Sequence, residues 1–72
     1  MRARILPHLL KRLKRLRTKA GLTQKQFAER AGISYKYYQQ IESGRKADLR
    51  LSTLERLANA HRITLSSLLR SG

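Results

Sequence analysis

The chain predicts an all-α fold: one small domain built as a five-helix bundle, with a helix-turn-helix formed by helices 2 and 3. Three observations carry this expectation. Apolar residues recur at helical spacing in successive segments. Glycines stand where those segments stop, as at Gly21, Gly32 and Gly44. The stretch LTQKQFAERAGISYKYYQQIESG, from Leu22 to Gly44, holds two capped helices with almost no chain between them, so the path must turn sharply.

Residues 1–6 carry Arg2 and Arg4 and no evident pattern, and are expected as a loose basic arm. Pro7 suits the first turn of a helix, where its missing N–H costs nothing. From there to Ala20, Leu6, Leu9, Leu10, Leu13, Leu16 and Ala20 fall on one face at 100° per residue. Lys11, Arg12, Lys14, Arg15 and Lys19 fall elsewhere. Arg17 sits within the apolar face, and an arginine there needs a partner.

The second helix, Gln24 to Ala31, opens on a capping box. Thr23 is the N-cap and Gln26 the N3 residue, and Leu22 with Phe27 has the spacing of a hydrophobic staple. Phe27, Ala28 and Ala31 are its inner residues, and the small alanines let another helix approach closely. After Gly32, Ser34 caps a third helix, Tyr35 to Ser43, with Ile33 and Tyr38 repeating the staple. Tyr37, Tyr38 and Ile41 share one side, with Glu42 at its edge; Tyr35, Lys36, Gln39, Gln40 and Ser43 make the other, polar side.

Residues Gly44 to Leu51 form a loop with Arg45, Lys46 and Arg50, anchored to the core by Leu49 or Leu51. Ser52 and Glu55 have capping-box spacing and predict a fourth helix to about His61, with Leu54, Leu57, Ala58 and His61 inward. Thr64 caps a short fifth helix with Leu65, Leu68 and Leu69 inward, and residues 70–72 fray. No repeat or low-complexity linker divides the 72 residues, so they read as one domain. A domain of this size buries only about 60% of its unfolded surface.

Charge bounds the function. There are 17 Lys and Arg against 4 Asp and Glu, a formal net charge of +13. Solubility needs a magnitude of only roughly 2–8. The excess favours a polyanion through counterion release, nucleic acid first and an anionic membrane surface second. The first helix is cationic and amphipathic, as membrane-surface helices are. Against that use, Arg17 interrupts its apolar face and no Trp or Phe anchors it. No apolar run approaches the roughly 20 residues of a bilayer span. The absence of cysteine excludes disulfides and thiolate metal sites and fits the cytoplasm.

Chemistry is not encoded in any constellation. His8 and His61 stand on different helices without nearby acids, and His61 reads as a half-buried packing residue. Glu29, Glu42, Asp48 and Glu55 form no pair at catalytic or metal-ligand spacing. No glycine-rich phosphate loop is present. No enzyme activity, metal or cofactor is expected.

The residues resemble the phage Cro and repressor (XRE-type) family of helix-turn-helix DNA-binding proteins, from about Leu13 to Leu69. The match is carried by Leu16-Arg17, Gly21-Leu22-Thr23-Gln24, Ala28-Glu29, Ala31-Gly32-Ile33-Ser34, Ile41-Glu42 and Gly44, then Thr53-Leu54, Leu57-Ala58 and Leu68-Leu69. The resemblance implies a bundle of the lambda-repressor-like type, with Tyr35–Ser43 as recognition helix and Arg17 paired to Glu42. It implies that Tyr35, Lys36, Gln39 and Gln40 read bases, while Thr23, Gln24, Lys25, Ser43, Arg45 and Lys46 hold phosphates. Gln40 suits adenine, and Lys36 suits guanine O6 and N7. Tyr35 fits either a thymine methyl or a phosphate. The chain departs from the family's pattern in three ways. The loop after Gly44 lacks a proline, His61 and Arg62 replace a leucine and a small residue, and Tyr38 is bulkier than the usual aliphatic, which would widen the core.

The expectation is therefore sequence-specific double-stranded DNA binding by a transcriptional regulator, a repressor in the first instance, in the cytoplasm on the nucleoid. Its partners would be DNA and a second copy of the chain, in a homodimer formed mainly on DNA around Leu65 and Leu69. The alternative is an antitoxin that binds a toxin partner and represses its own operon. A nonspecific nucleic-acid or membrane-surface binder ranks below both.

Overall fold

A computed structural model of the chain describes residues 2–46 and 48–70, with side chains from Pro7 onward. Five helices account for most of them: α1 Arg2–Lys19, α2 Gln24–Ala31, α3 Tyr35–Glu42, α4 Leu51–Ala60 and α5 Leu65–Leu69. They pack as a ring. α3 lies between α1 and α2, α2 between α3 and α4, and α5 closes the circle between α4 and α1. Leu9, Leu13, Phe27, Ala28, Ala31, Tyr38, Ile41, Leu57, Ala58 and Leu68 fill the centre.

The helix-turn-helix forms as its caps dictate. Gln26 N donates to the Thr23 hydroxyl at 3.1 Å, and Thr23 N donates to the Gln26 side chain at 2.9 Å, so the capping box is complete. Gly32 ends α2 at φ 75°, a left-handed conformation that glycine adopts without cost. Its N–H and that of Ile33 then satisfy carbonyls left over at the helix end. The Ser34 hydroxyl accepts from Tyr37 N at 3.1 Å and starts α3 at once. α3 runs to Glu42, and Ser43, expected as its last residue, is the C-cap.

Several expectations are corrected. α1 begins at Arg2 rather than Pro7, so the basic arm expected over residues 1–6 is helical from Arg2. Pro7 costs the Ala3 carbonyl its usual donor, one bond in a helix of 18 residues. The capping box at Ser52 and Glu55 does not form. α4 starts two residues earlier, with Arg50 as an N-cap that makes no side-chain bond, and this puts Ser52 inside the helix. Leu49 is the half-buried anchor of the preceding loop, whereas Leu51 is 61% exposed. Ala20 lies in the turn after α1 and is exposed. Leu69, expected inward, is 39% exposed, because in so short a helix Leu68 takes the only fully buried position. Met1, Ala47, Ser71, Gly72 and the side chains of Arg2, Arg4 and Leu6 lie outside the described parts.

The bulky Tyr38 and the unusual His61 are accommodated together. Tyr38 meets Phe27 edge-on, with centroids 5.1 Å apart, and His61 stacks on the same ring at 4.3 Å. After His61, the turn into α5 requires a left-handed residue, and Arg62 takes it at φ 57°. That conformation costs a residue with a Cβ roughly 1–2 kcal/mol.

Candidate nucleic-acid interface

The outer face of α3 and the N-terminus of α2 meet in one shallow groove lined by Gln24, Lys36, Gln39, Gln40, Ser43 and Arg45. Residues expected to read bases and residues expected to hold phosphates are thus brought together, although they come from two helices and a loop. Tyr35 stands beside them, 43% exposed, and its hydroxyl accepts from Gln39 Nε2 at 3.1 Å. That bond crosses one helical turn and fixes how the Gln39 amide is presented. Thr23 and Lys25 are exposed at the start of α2. Lys46 is not a groove residue: its ammonium lies over the Tyr37 ring, 5.9 Å from the centroid.

Behind the groove is the only ion pair among the described residues. Arg17 Nε donates to Glu42 Oε2 at 2.7 Å and Nη2 to Oε1 at 3.2 Å, with side-chain exposures of 11% and 5%. The remaining guanidinium nitrogen, Nη1, donates to the Leu22 carbonyl at 2.9 Å, which ties α1 to the chain entering α2. This answers the need of Arg17 on its apolar face.

Two further partners of Glu42 escaped the sequence reading. Gln24 Nε2 donates to Oε1 at 2.9 Å, and the Tyr38 hydroxyl donates to Oε2. The second was legible in principle, since Tyr38 and Glu42 are four residues apart and share a helical face. The first required knowing how α2 and α3 cross. Burial pushes the Glu42 carboxyl up, but the hydrogen bonds from Arg17, Tyr38 and Gln24 and the charge of Arg17 outweigh it, so it lies below its ordinary value. Burial and the bond to Glu42 together push the Tyr38 phenol up. The bond to Glu42 raises Arg17 further.

The groove residues therefore differ in freedom. The Gln24 amide is held by Glu42, and the Ser43 hydroxyl bonds the Gln40 carbonyl at 3.1 Å. Gln24 keeps one amide N–H to offer in a fixed direction, whereas the single Ser43 hydroxyl proton is engaged and must leave the Gln40 carbonyl before it can reach a phosphate. Lys36, Gln40 and Arg45 make no side-chain hydrogen bond to any described residue. Such a surface can donate to phosphate oxygens and to base edges in a major groove about 12 Å wide. Among the described residues, no helix is long and apolar enough to cross a membrane.

Comparison with known families agrees with this geometry. A family model described as helix-turn-helix matches residues 13–68, from the buried Leu13 of α1 to the buried Leu68 of α5. No curated protein matches the chain. The matched span covers most of the molecule, including the whole groove and the ion pair behind it. The chain belongs to the Cro/repressor-like, XRE-type helix-turn-helix family of DNA-binding transcription regulators.

Proposed function

We propose that the chain is a sequence-specific repressor that acts by occupying double-stranded DNA, with α3 in the major groove. The observation that carries this reading is the groove itself. Lys36, Gln39 and Gln40, which can bond base edges, share it with Gln24, Ser43 and Arg45, which can hold phosphates. The N-terminus of α2 adds free N–H groups and a positive dipole end for a phosphate. Lys36 donates to guanine and Gln40 pairs with adenine, while Gln39, steered by Tyr35, reads a neighbouring position. Tyr35, Thr23, Lys25 and Lys46 flank these contacts. Repression follows from exclusion, since a duplex held along this face is closed to other proteins.

A homodimer formed mainly on DNA fits the exposed Leu69 and half-buried Leu65 of α5, across the ring from α3. Two-fold-related half-sites would then hold the two copies.

Selection of bound duplexes from a random library tests the reading. The expected product is a defined motif, with two-fold symmetry if the dimer forms. Specific binding should exceed binding to unrelated duplex by about 10³-fold or more. Recovery of no motif, with equal affinity for all sequences, would sink it.

A further inference from the structure

A second basic site lies away from α3. A cleft between the C-terminal ends of α2 and α4 is lined by Arg30, Ala31, Arg56, Asn59, Ala60 and Arg62, and shares no residue with the α3 groove. Resting on DNA binding by the α3 face, we propose that this cleft is a second phosphate-binding surface through which the chain holds a second DNA duplex.

The chemistry of the cleft supports it. None of its three arginines lies within 4.0 Å of a carboxylate among the described residues, where the one ion pair is Arg17–Glu42. Three like charges repel one another when nothing sits between them, and an oxyanion relieves that repulsion. All three cations are arginines, whose planar fork matches phosphate oxygens. Arg56 is held in place by donating Nη1 to the Gly32 carbonyl at 3.2 Å. The floor is Ala31 and Ala60, small enough for an anion to approach, and the Asn59 amide adds a donor. Arg62 is the one described non-glycine residue at positive φ. Glycine would fit that turn without strain. The strained residue found there instead brings the third guanidinium to the cleft.

Geometry points to a second duplex rather than the first. α4 lies beyond α2 in the ring, and its Thr53 hydroxyl meets that of Tyr37 on α3, at 3.5 Å, near the N-terminal end of α4, opposite the end that forms the cleft. Arg30 is about 9 Å along α2 from Gln24, at the opposite end from the recognition groove. The excess of charge agrees, since +13 is well beyond what solubility requires.

The test is a bridging assay. A duplex carrying the selected motif is immobilised, the protein is added, and a fluorescent duplex of unrelated sequence is offered. The wild type should capture the second duplex, with a salt slope reporting several phosphate contacts. Arg30→Gln/Arg62→Gln leaves the Arg56–Gly32 contact and the α3 groove intact. It should keep its affinity for the first duplex, lose capture of the second, and melt as a folded domain. His61 serves as a local probe. Burial, and after it the charge of Arg30, holds its imidazole below the ordinary value. A phosphate beside Arg30 should therefore raise its NMR titration midpoint.

Capture that survives in the double variant would mean bridging by paired α3 faces, and would overturn the proposal. So would tight binding of an acidic peptide by the cleft with no duplex captured. A wild type that holds the first duplex but not the second defeats the cleft alone. A wild type that holds neither defeats the α3 reading, and the proposal with it.

Discussion

Replacing Glu42 by alanine removes an acceptor that receives four hydrogen bonds: two from Arg17, one from Gln24 and one from Tyr38. Arg17 is left largely shielded from water, with only the Leu22 carbonyl to satisfy it. Breaking such a pair from one side costs about 3–5 kcal/mol, because the remaining charge is uncompensated. Water lies close behind every buried group in a chain this small, which favours the lower end. The whole domain is worth roughly 4–11 kcal/mol at typical stability per residue. A loss of about 3 kcal/mol corresponds to a fall in Tm of about 12–24 °C. Thermal melts followed by circular dichroism read this directly. Tyr38→Phe, which removes one bond to a charged acceptor, should lose less, about 1.5–3 kcal/mol. The double variant Arg17→Met/Glu42→Leu should recover part of the loss by removing both charges. A Glu42→Ala melt within about 4 °C of wild type, or about 1 kcal/mol, would refute the argument that this network carries stability.

Three further outcomes are expected. His61 has a folded value below its ordinary one, by burial and then by the charge of Arg30, so protonation favours the unfolded chain. Its contribution is complete above about pH 6.5 and is lost as pH falls below that; Tm should drop between pH 7.5 and 5, and His61→Leu should flatten that drop. Lys36→Ala and Gln40→Ala should each cost about 1–3 kcal/mol against the preferred base and little against unrelated duplex, as measured by competition binding. Arg62→Gly should relieve a strained φ and raise stability by up to about 1 kcal/mol, seen as a higher Tm.

The fold was most legible where local chemistry decides it. Thr23, Gln26, Gly32 and Ser34 specify their helix ends through bonds to immediate neighbours, and α2 runs over the span those residues predict. The same reasoning failed at Ser52 and Glu55, which have the right spacing but sit two residues too far along. There Leu49 packs against the core immediately before Arg50, the observed cap, so the helix begins next to a tertiary contact that spacing alone does not show. Pro7 misled for a related reason: a helix tolerates one lost bond when the residues before it continue the turn. At the site, Arg17 betrayed itself by standing on an apolar face. Gln24 gave no such signal, because a glutamine at a helix start is unremarkable until another helix brings a carboxylate to it. The left-handed turn at Arg62 carried no glycine and was invisible for that reason.

Glu42 is the only acid on α3, and its carboxylate has a consequence for the field the molecule projects. A negative charge one turn from Gln39 and beside Ser43 would oppose any approaching phosphate. Drawn inward and matched by Arg17, it contributes almost no net charge outside. Its bond to the Gln24 amide uses one N–H and leaves the other as an oriented donor. The groove therefore presents Lys36 and Arg45 undiluted. With DNA at this face, as proposed, association should be fast and salt-sensitive, since unopposed positive potential at short range steers a polyanion into place. A variant at Glu42 that still folded would change the association rate in a direction set by the charge left on Arg17.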